Sequence, residues 1–312
     1  MRIAVIDIGS NTIKLLVAAR STSGGIDTLH YASEEARIGR GIGGDRPALT
    51  EESMRRGVAA VETLVKLART FGPDRIALVA TSAVRDATNG RDFTARIHHE
   101  TGLAVRVLTG TEEADAIGRG LATDPALAGA QDFYLFDLGG GSLECLEFRK
   151  RRAAQSVSLR LGCVRLTERC VPDPSAPFTA ADRARIVAAV QCEFTADAPA
   201  CFRFDLASPA VAVATGGTVT TVRAMLAAST GRSLGDVSPS VATAELEPLL
   251  ARSGALPLAE RRAMPGLPAA RADVFPTALA TMLEVARLAG VEQFTHSLHN
   301  LRYGIAAEGL GL

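Results

Sequence analysis

The sequence predicts an α/β protein of two similar halves, and three observations support this fold class. Patterns typical of buried strands alternate with helical patterns along the chain, as in α/β folds. A strand–loop–strand unit, AVIDIGSNTIKLLV, returns in the second half as YLFDLGGGSLECLE. The length of 312 residues exceeds the roughly 250 residues at which one hydrophobic core stops growing, so two domains are expected.

The first half begins with strands over residues 2–8 and 13–19, joined by a tight loop, and a third strand is expected over 27–36. A helix opens at Thr50 and ends before Gly72. Its apolar stripe recurs every three or four residues, at Met54, Val58, Val61, Val65 and Ala68. The remaining elements are a strand over 76–80, a helix over 91–100, a strand over 103–108 and a helix over 111–122.

The second half opens with the repeated unit, after a loop over 123–131 that contains proline and glycine. We therefore place the domain boundary between residues 124 and 125, which gives domains 1–124 and 125–312. Strands are predicted over 133–137, 143–148, 153–161, 211–214 and 293–296. Helices are predicted near 163–171, 180–196, 241–251, 258–263 and 271–289, with another after residue 218.

The charge balance and the lack of long apolar runs argue against a nucleic-acid-binding or membrane-spanning protein. The chain has 34 basic and 34 acidic residues, so no global charge attracts nucleic acid or an anionic membrane. No apolar run approaches the roughly 18 residues of a membrane span, and the N-terminus resembles a strand and not a signal peptide. A cytoplasmic protein without nucleic-acid or membrane partners is expected. The five cysteines contain no C-x-x-C pair and predict reduced, mostly buried thiols.

Each copy of the repeated unit places an aspartate, Asp7 or Asp137, at a strand end before glycine and small polar residues. Glycine lets backbone approach a ligand, and successive N–H groups of a tight turn bind anions. A carboxylate beside phosphate serves mainly as a metal or water ligand. One such loop alone fits an ordinary glycine-rich hairpin, whereas two in matching places favour facing phosphate loops. Their residues are Gly9, Ser10, Asn11, Thr12, Gly139, Gly140, Gly141 and Ser142.

A third glycine-rich turn, formed by Gly216, Gly217 and Thr218, leads from a strand into a helix. A helix N-terminus binds anions through its free N–H groups, so this turn is another phosphate-binding candidate. An ordinary helix start is an equally good interpretation. None of the three turns matches the G-x-x-x-x-G-K-[ST] or G-x-G-x-x-G pattern.

Hydrolysis of a bound phosphate requires a base, and the helix over 111–122 offers two glutamates. Glu113 lies about 70° from the centre of the buried face, where partial burial raises a carboxyl pKa. Glu112 lies about 170° away and is expected to be solvated, in a first turn that favours acids. Glu113 is therefore the candidate general base, with helix capping as the alternative role.

Three further charged features have a functional and a structural interpretation each. Arg85 directly follows a strand, where it could clamp a terminal phosphate or be an ordinary surface arginine. Glu144 follows the second glycine loop and could hold metal or water, or simply face outward. The basic run over 149–152 could steer a polyanion or be a solvated hairpin end.

These residues together resemble the exopolyphosphatase/guanosine pentaphosphate phosphatase (Ppx/GppA) family. The motifs occur in the family's order across nearly the whole chain. The resemblance implies an actin-like ATPase fold, with two ribonuclease-H-like domains flanking an interdomain cleft. The matching motifs are DIGSN from Asp7, TSAVR ending at Arg85, GTEEA around Glu113, DLGGGSLE from Asp137, TGGT from Thr215 and LRYG from Leu301.

The resemblance also implies an activity, which is hydrolysis of a terminal phosphoanhydride in polyphosphate or guanosine pentaphosphate. By this resemblance Glu113 activates water, Arg85 binds phosphate, and the two aspartate loops hold the phosphate chain. Asp7, Asp137 and Glu144 are the expected metal-associated acids, and Mg²⁺ is the expected ion. Thr12 stands where the family usually has serine and retains the hydroxyl.

The chain stops soon after the LRYG motif, where longer family members continue into a helical HD-type domain. A short form is expected, which puts a processive grip on long polyphosphate in doubt. The first hypothesis is a Mg²⁺-dependent exopolyphosphatase. The alternatives are a guanosine pentaphosphate 5′-phosphohydrolase and, from another class, a non-catalytic actin-like sensor of nucleotides or alarmones. Retention of Glu113 and Arg85 argues against the sensor, and a homodimer is left open as the assembly state.

Overall fold

The computed structural model describes residues 1–22, 24–44, 46–195, 202–205 and 211–312. None of the helices in these ranges has the length and apolar character needed to cross a membrane. The strands are β1 (Arg2–Ile8), β2 (Ile13–Arg20), β3 (Ile26–Glu34), β4 (Arg75–Ala80), β5 (Val105–Val107), β6 (Phe133–Leu138), β7 (Leu143–Arg149), β8 (Arg152–Leu159), β9 (Val211–Thr215), β10 (Ser240–Ala242) and β11 (Gln293–His296). The helices are α1 (Glu51–Thr70), α2 (Ser82–Asp86), α3 (Gly90–Thr101), α4 (Gly110–Ala122), α5 (Cys163–Cys170), α6 (Ala180–Glu193), α7 (Gly217–Ser229), α8 (Thr243–Gly254), α9 (Leu258–Arg261), α10 (Phe275–Ala289) and α11 (Leu301–Leu310).

The chain divides into two compact units. The first unit contains Met1–Gly129 and the C-terminal segment His299–Leu312, and the second contains Ala130–Leu298. The sequence-based division at residue 124 differs from this one, because it assigns the C-terminal segment to the second half. Helix α11 packs against α4 and β1, which is why the segment belongs to the first unit. Its sequence, LRYGIAAEGL, is mostly apolar or small, and no helix is predicted there from the sequence.

The sheet of the first unit has the strand order β3-β2-β1-β4-β5. Strands β1, β2 and β3 are antiparallel neighbours, whereas β4 and β5 run parallel to β1. One face packs against α1 and α3 around Ile6, Leu15 and Phe93. Alternate side chains of β1 face the other way, and α11 lies there, with Gly309 against Ile3.

The sheet of the second unit repeats this arrangement in the order β10-β11-β9-β6-β7-β8. Strands β6, β7 and β8 are antiparallel neighbours, and β9 and β11 run parallel to β6, so they match β1 to β5 of the first unit. The core gathers aromatic and aliphatic side chains of β6, α10 and β11, including Phe136, Phe275, Leu279 and Phe294. The α/β class and the internal repeat predicted from the sequence are confirmed.

The boundaries of several elements differ from those predicted. The helix predicted near 241–251 is β10 followed by α8, and the helix predicted from residue 271 begins at Phe275. Pro276 explains the later start, since proline fits the first turn of a helix, where its missing N–H is not needed. Residue 196 of the helix predicted over 180–196 lies outside the described residues.

The cysteines described by the structure are free thiols. Three of them are buried, and burial raises the pKa of each thiol, which leaves them protonated. Cys201 lies outside the described residues. The buried thiols are Cys145, Cys163 and Cys170, and the exposed one is Cys192.

Candidate active site

The loop between β1 and β2 buries polar groups that have no partner in the part of the chain that the structure describes. Ser10 and Asn11 are 4% and 5% exposed, and the Ser10 hydroxyl and both amide atoms of Asn11 lack hydrogen bonds there. Behind the loop, the Gly39 N–H donates to the Ser10 carbonyl at 2.7 Å and the Arg37 N–H to the Asn11 carbonyl at 2.9 Å. An unsatisfied buried polar group costs about 1–3 kcal/mol. Such groups in loop 9–12 are consistent with a ligand completing the site.

Asp7 is the penultimate residue of β1, and its carboxylate faces a buried guanidinium. Arg302 Nη1 lies 3.9 Å from Asp7 Oδ2, and its guanidinium carbon lies 4.9 Å from the Tyr31 ring centroid. Burial raises the pKa of Asp7, and the charges of Arg302 and Lys14 act in the opposite direction. Arg302 is 3% exposed, and its Nε and Nη1 form no hydrogen bond with a described residue. The LRYG motif contains Arg302, but no local pattern in the sequence assigns it this position.

Glu113 and Arg85, the two predicted catalytic residues, are in direct contact. Arg85 Nη1 donates to Glu113 Oε2 at 2.6 Å and also to the Leu108 carbonyl at 3.1 Å. Glu113 is 5% exposed, so it is more deeply buried than its helical position predicts. Arg85 lies in the short helix α2, and its Nε is 3.5 Å from Asp86 Oδ1. A buried carboxylate held by a guanidinium can accept a proton or orient water in a fixed position.

Glu112, the neighbouring acid, has a purely local role. Its carboxylate accepts hydrogen bonds from the N–H and hydroxyl of Thr109, which closes a capping box at the start of α4. It also pairs with Arg106 at 2.9 Å. Hydrogen bonding to Thr109 and Arg106 lowers the pKa of Glu112 to about 2. The predicted contrast between a solvated Glu112 and a buried Glu113 is confirmed.

In the second unit, the predicted phosphate loop over 139–142 joins β6 to β7. Asp137 and Glu144 are directly opposed across these two antiparallel strands, so their side chains share one face of the sheet. Glu144 is 2% exposed and accepts a hydrogen bond from the Ser158 hydroxyl at 2.8 Å. Two carboxylates are thereby placed beside the glycine loop.

The third predicted turn lies against the Asp137 carboxylate. Gly216 has a φ of +89°, and a Cβ there would lie 2.3 Å from Asp137 Oδ1, so the absence of a side chain admits the carboxylate. A Cβ on Gly217 would lie 2.3 Å from Arg271 Nη1, which brings a guanidinium to the start of α7. Thr218 is fully buried in the first turn of this helix. Sequence reasoning missed Arg271, because it belongs to no recognised motif and ends a short 3-10 helix over Ala269–Arg271.

The donor chemistry of the predicted acids fits a hard divalent cation. Carboxylate oxygens are preferred by Mg²⁺, and Asp137 and Glu144 supply two of them from opposed positions. Asp7 belongs to the first unit, whereas Asp137 and Glu144 belong to the second. Within the described ranges, no three His, Cys, Asp or Glu side chains come close enough together to hold a metal ion by themselves. Any such ion would therefore take ligands from water or a phosphate group as well.

The basic run over 149–152 lies far from the second glycine loop. It forms the turn between β7 and β8, whereas the loop joins the other end of the seven-residue β7, about 20 Å away at the usual rise per residue. Arg149 is already paired with Glu147 at 2.7 Å and Asp205 at 3.1 Å. This placement favours the structural interpretation of the run over a role in steering substrate.

The duplicated sheet, with a glycine-rich loop after the first strand of each copy, defines a protein of the actin-like ATPase fold. The chain belongs to the Ppx/GppA phosphatase family, whose model matches residues 17–311. It is 31% identical to exopolyphosphatase 2 of Mycobacterium tuberculosis, with 98% of this chain and 97% of that protein covered. The chain is thus a member of a phosphatase family and is homologous to exopolyphosphatases.

Solved structures of similar fold come from two other bacteria. An exopolyphosphatase from Cytophaga hutchinsonii superposes with a TM-score of 0.82 at 24% identity, over 100% of this chain and 98% of that chain. The Aquifex aeolicus member of the Ppx/GppA family superposes with a TM-score of 0.76 at 24% identity and the same coverage. Both cover the two units described above, so the predicted fold is confirmed along the whole chain.

Proposed function

We propose that this protein hydrolyses the terminal phosphoanhydride bond of inorganic polyphosphate and releases orthophosphate. The observation that carries the proposal is the contact of Arg85 with the buried Glu113 carboxylate at 2.6 Å. A pure binding protein needs no carboxylate held in this way. Homology to an exopolyphosphatase along almost the whole chain supports the substrate class.

Glu113 is the proposed general base. It accepts a proton from a water molecule whose oxygen attacks the terminal phosphorus atom. The bond from that phosphorus to the bridging oxygen breaks, and the bridging oxygen leaves with the electron pair on a chain shortened by one phosphate. The proton on Glu113 then passes to solvent. A positioned base of this kind contributes about 10²–10⁴-fold to the rate.

Arg85 and the glycine-rich turns are proposed to bind and position the phosphate groups. The planar guanidinium of Arg85 bonds phosphate oxygens in pairs and stabilises charge on them. The N–H groups of loop 9–12, of residues 140–142 and of turn 216–218 are proposed to bind further phosphates. Positioning and charge stabilisation supply most of the catalysis in phosphoryl transfer, so these groups are expected to matter as much as the base.

A divalent cation, when bound, would neutralise negative charge on the phosphate oxygens. Asp137 and Glu144 are the residues proposed to hold Mg²⁺ in the second unit, and Asp7 is the corresponding acid of the first unit. Each lies at the end of the strand beside a phosphate loop, or directly opposite it. In each unit, the acid beside the phosphate loop is thus the proposed ligand for a cation that would neutralise the charge of the phosphate groups.

The test is a phosphate-release assay on polyphosphates of graded length, with guanosine pentaphosphate and ATP in parallel and Mg²⁺ present. We expect kcat/KM for a polyphosphate to exceed kcat/KM for guanosine pentaphosphate by at least about tenfold. A reversed order would instead assign the guanosine pentaphosphate 5′-phosphohydrolase. Tight nucleotide binding by calorimetry without phosphate release from any substrate would assign the non-catalytic sensor.

A further inference from the structure

The carbonyl groups of Gly139, Gly140 and Gly141 in the second glycine loop are directed toward the segment that follows β8. Backbone N–H groups at the start of α5 and the side chain of Arg165 donate to them. The bonds run from Cys163 N to Gly139 O at 3.0 Å, from Val164 N to Gly140 O at 2.8 Å, from Arg165 N to Gly140 O at 3.1 Å and from Arg165 Nε to Gly141 O at 2.8 Å.

This arrangement determines where the N–H groups of the loop point. In a planar trans peptide, the C=O of one residue and the N–H of the next point in opposite directions. Because the carbonyls of residues 139–141 point toward α5, the N–H groups of residues 140–142 point away from it. Successive N–H groups directed to one side form a concave anion-binding surface. The hydrogen bonds from α5 and Arg165 thus orient the part of the loop that would receive a phosphate.

Arg165 is deeply buried. Its side chain is 2% exposed, and burying a guanidinium away from water is costly unless its donors are satisfied. The segment is also pressed against the loop, since a Cβ on Gly162 would lie 2.3 Å from the Gly141 carbonyl carbon and from the Ser142 nitrogen. The Gly141 carbonyl therefore accepts a hydrogen bond from a charged donor that is buried away from solvent.

The glycine loop of the first unit is also held through its carbonyl groups, by backbone donors. The segment after β3 donates from Gly39 N to the Ser10 carbonyl and from Arg37 N to the Asn11 carbonyl. A Cβ on Gly39 would lie 2.7 Å from the Ser10 Cβ, so the contact is equally close. In both units, the segment after the third strand thus donates backbone hydrogen bonds to the glycine loop. The second unit adds a hydrogen bond from the Arg165 side chain.

We propose that Arg165 is a positioning residue for the proposed reaction: it holds the Gly141 carbonyl so that the loop N–H groups face the phosphate chain. The proposal rests on the proposed function for the identity of the anion. Arg165 touches no reacting atom in this role and acts through the backbone of loop 139–141. Lysine at this position would retain a charge but would lack the Nε donor and the planar geometry.

The test compares Arg165→Met and Arg165→Lys with a matched control, Arg261→Met. Arg261 is another buried arginine of the second unit, 1% exposed, and it also donates to backbone carbonyls, from Nε to Ser253 O and from Nη2 to Leu256 O. Two quantities are measured on the full chain: calorimetric affinity for inorganic tripolyphosphate in a Glu113→Gln background, and amide hydrogen exchange of a peptide spanning residues 138–143.

We expect Arg165→Met to weaken tripolyphosphate binding by about tenfold or more and to accelerate exchange in residues 138–143, with Arg165→Lys intermediate. Arg261→Met should lower the melting temperature but leave affinity within about twofold of the parent. Equal affinity losses in the two Met variants, or unchanged exchange over 138–143 in Arg165→Met, would overturn the proposal. If Arg165→Met does not fold, Arg165→Lys decides alone, and affinity within twofold of the parent rejects the role.

The exchange readout separates this proposal from the proposed function. A parent that binds no tripolyphosphate and releases no phosphate would refute the proposed function. In that case faster exchange over residues 138–143 in the Arg165 variants, and not in Arg261→Met, would still establish that Arg165 orders the loop. Unchanged exchange in that same comparison would refute the positioning role as well.

Discussion

Arg85 Nη1 donates a hydrogen bond to Glu113 Oε2 at 2.6 Å, and the topology of the first sheet explains why the two residues meet. Helix α2, which carries Arg85, follows β4, and α4, which carries Glu113, follows β5. The two strands are parallel neighbours, so the chain leaves both at the same edge of the sheet. Asp7 lies at this edge too, because β1 is parallel to β4 with Asp7 beside Val79.

The contact gives the Glu113 carboxylate a fixed orientation inside a buried environment. Arg85 would then have two partners, Glu113 and a terminal phosphate, and it would bind both with the same set of N–H donors. Arg85 has five N–H donors in a planar fork, which is enough for both. Glu113 and Arg85 therefore form one hydrogen-bonded pair whose two roles can be separated by substitution.

Replacement of Glu113 by glutamine should abolish most turnover while binding persists. Glutamine retains the shape of the side chain but accepts no proton from water. We expect kcat for polyphosphate hydrolysis to fall by about 10²–10⁴-fold, with calorimetric affinity for tripolyphosphate within a few-fold of the parent. The measurement is phosphate release under single-turnover conditions. Turnover close to that of the parent would remove Glu113 from the role of base.

The matched control is Glu112→Gln, the same substitution one residue earlier on the same helix. The Glu112 side chain is 42% exposed and serves the capping box and Arg106. Its replacement should leave kcat/KM within about twofold of the parent, because substitutions outside buried sites usually have small effects. Equal losses in both variants would attribute the Glu113 effect to the helix and not to the base.

Replacement of Arg85 by lysine should reduce kcat/KM for tripolyphosphate by about 10–100-fold, mainly through a higher KM. Lysine supplies a point charge but not the planar fork that bonds phosphate oxygens and Glu113 together. The control is Arg106→Lys, in which the arginine pairs with Glu112 and Glu308 on the surface. Surface pairs contribute about 0–1 kcal/mol, so this control should retain the parent's kinetics. A wild-type KM in Arg85→Lys would contradict a phosphate-binding role.

The sequence allowed the strands, the glycine turns and the Glu113–Glu112 contrast to be predicted, because each depends on local signals. Alternation of apolar residues, glycine at strand ends and helical phase are all visible within about ten residues. Arg271 and Arg302 could not be assigned positions in this way. Each reaches its place through packing of segments distant in sequence, as when α11 brings Arg302 to Asp7.

The same reason explains why the domain boundary placed from the sequence differs from the division into compact units. Helix α11 lacks a clear amphipathic stripe, because its two charged residues are Arg302, which is buried, and Glu308. Hydrophobic periodicity then does not show which face of the helix is buried or which element it packs against. Only the fit of its glycines against α4 and β1 assigns it to the first unit.

Replacement of Asp7 by asparagine should stabilise the protein at neutral pH while it lowers activity. Burial raises the pKa of Asp7 in the folded state, so ionisation of this carboxyl opposes folding at pH 7. Asparagine removes that cost but also removes the carboxylate proposed to act beside the phosphate loop. We expect a higher melting temperature by calorimetry without divalent cations, and a loss of kcat of about tenfold or more with Mg²⁺ present.

The pH dependence supplies the internal control for Asp7. Below the ordinary pKa of 3.8, the carboxyl is protonated in both folded and unfolded chains, so parent and variant should have similar stability. As the pH rises through the raised folded-state pKa, the parent alone loses stability. The difference in melting temperature should therefore grow from pH 3 to pH 7. A constant difference, or one of opposite sign, would contradict the burial cost assigned to Asp7.

Replacement of Gly304 by alanine should disrupt the packing of α11 on α4. A Cβ at Gly304 would lie 1.7 Å from the backbone carbonyl oxygen of Ala116, a contact that no side-chain rotation can relieve. The gain in helix propensity is at most about 1 kcal/mol, whereas overpacking against backbone costs about 1–3 kcal/mol or more. We expect a lower free energy of unfolding in urea.

The kinetic consequence follows from Arg302, which lies on the same helix two residues earlier. A displaced α11 moves this guanidinium away from Asp7, so Gly304→Ala should also reduce kcat/KM, whereas a surface glycine should not. Gly129→Ala is the control, because a Cβ there has no atom within 4 Å, and its effect on stability should stay within about 0.5 kcal/mol. If Gly304→Ala matches this control in stability and kinetics, the close approach of α11 to α4 does not hold Arg302 in place.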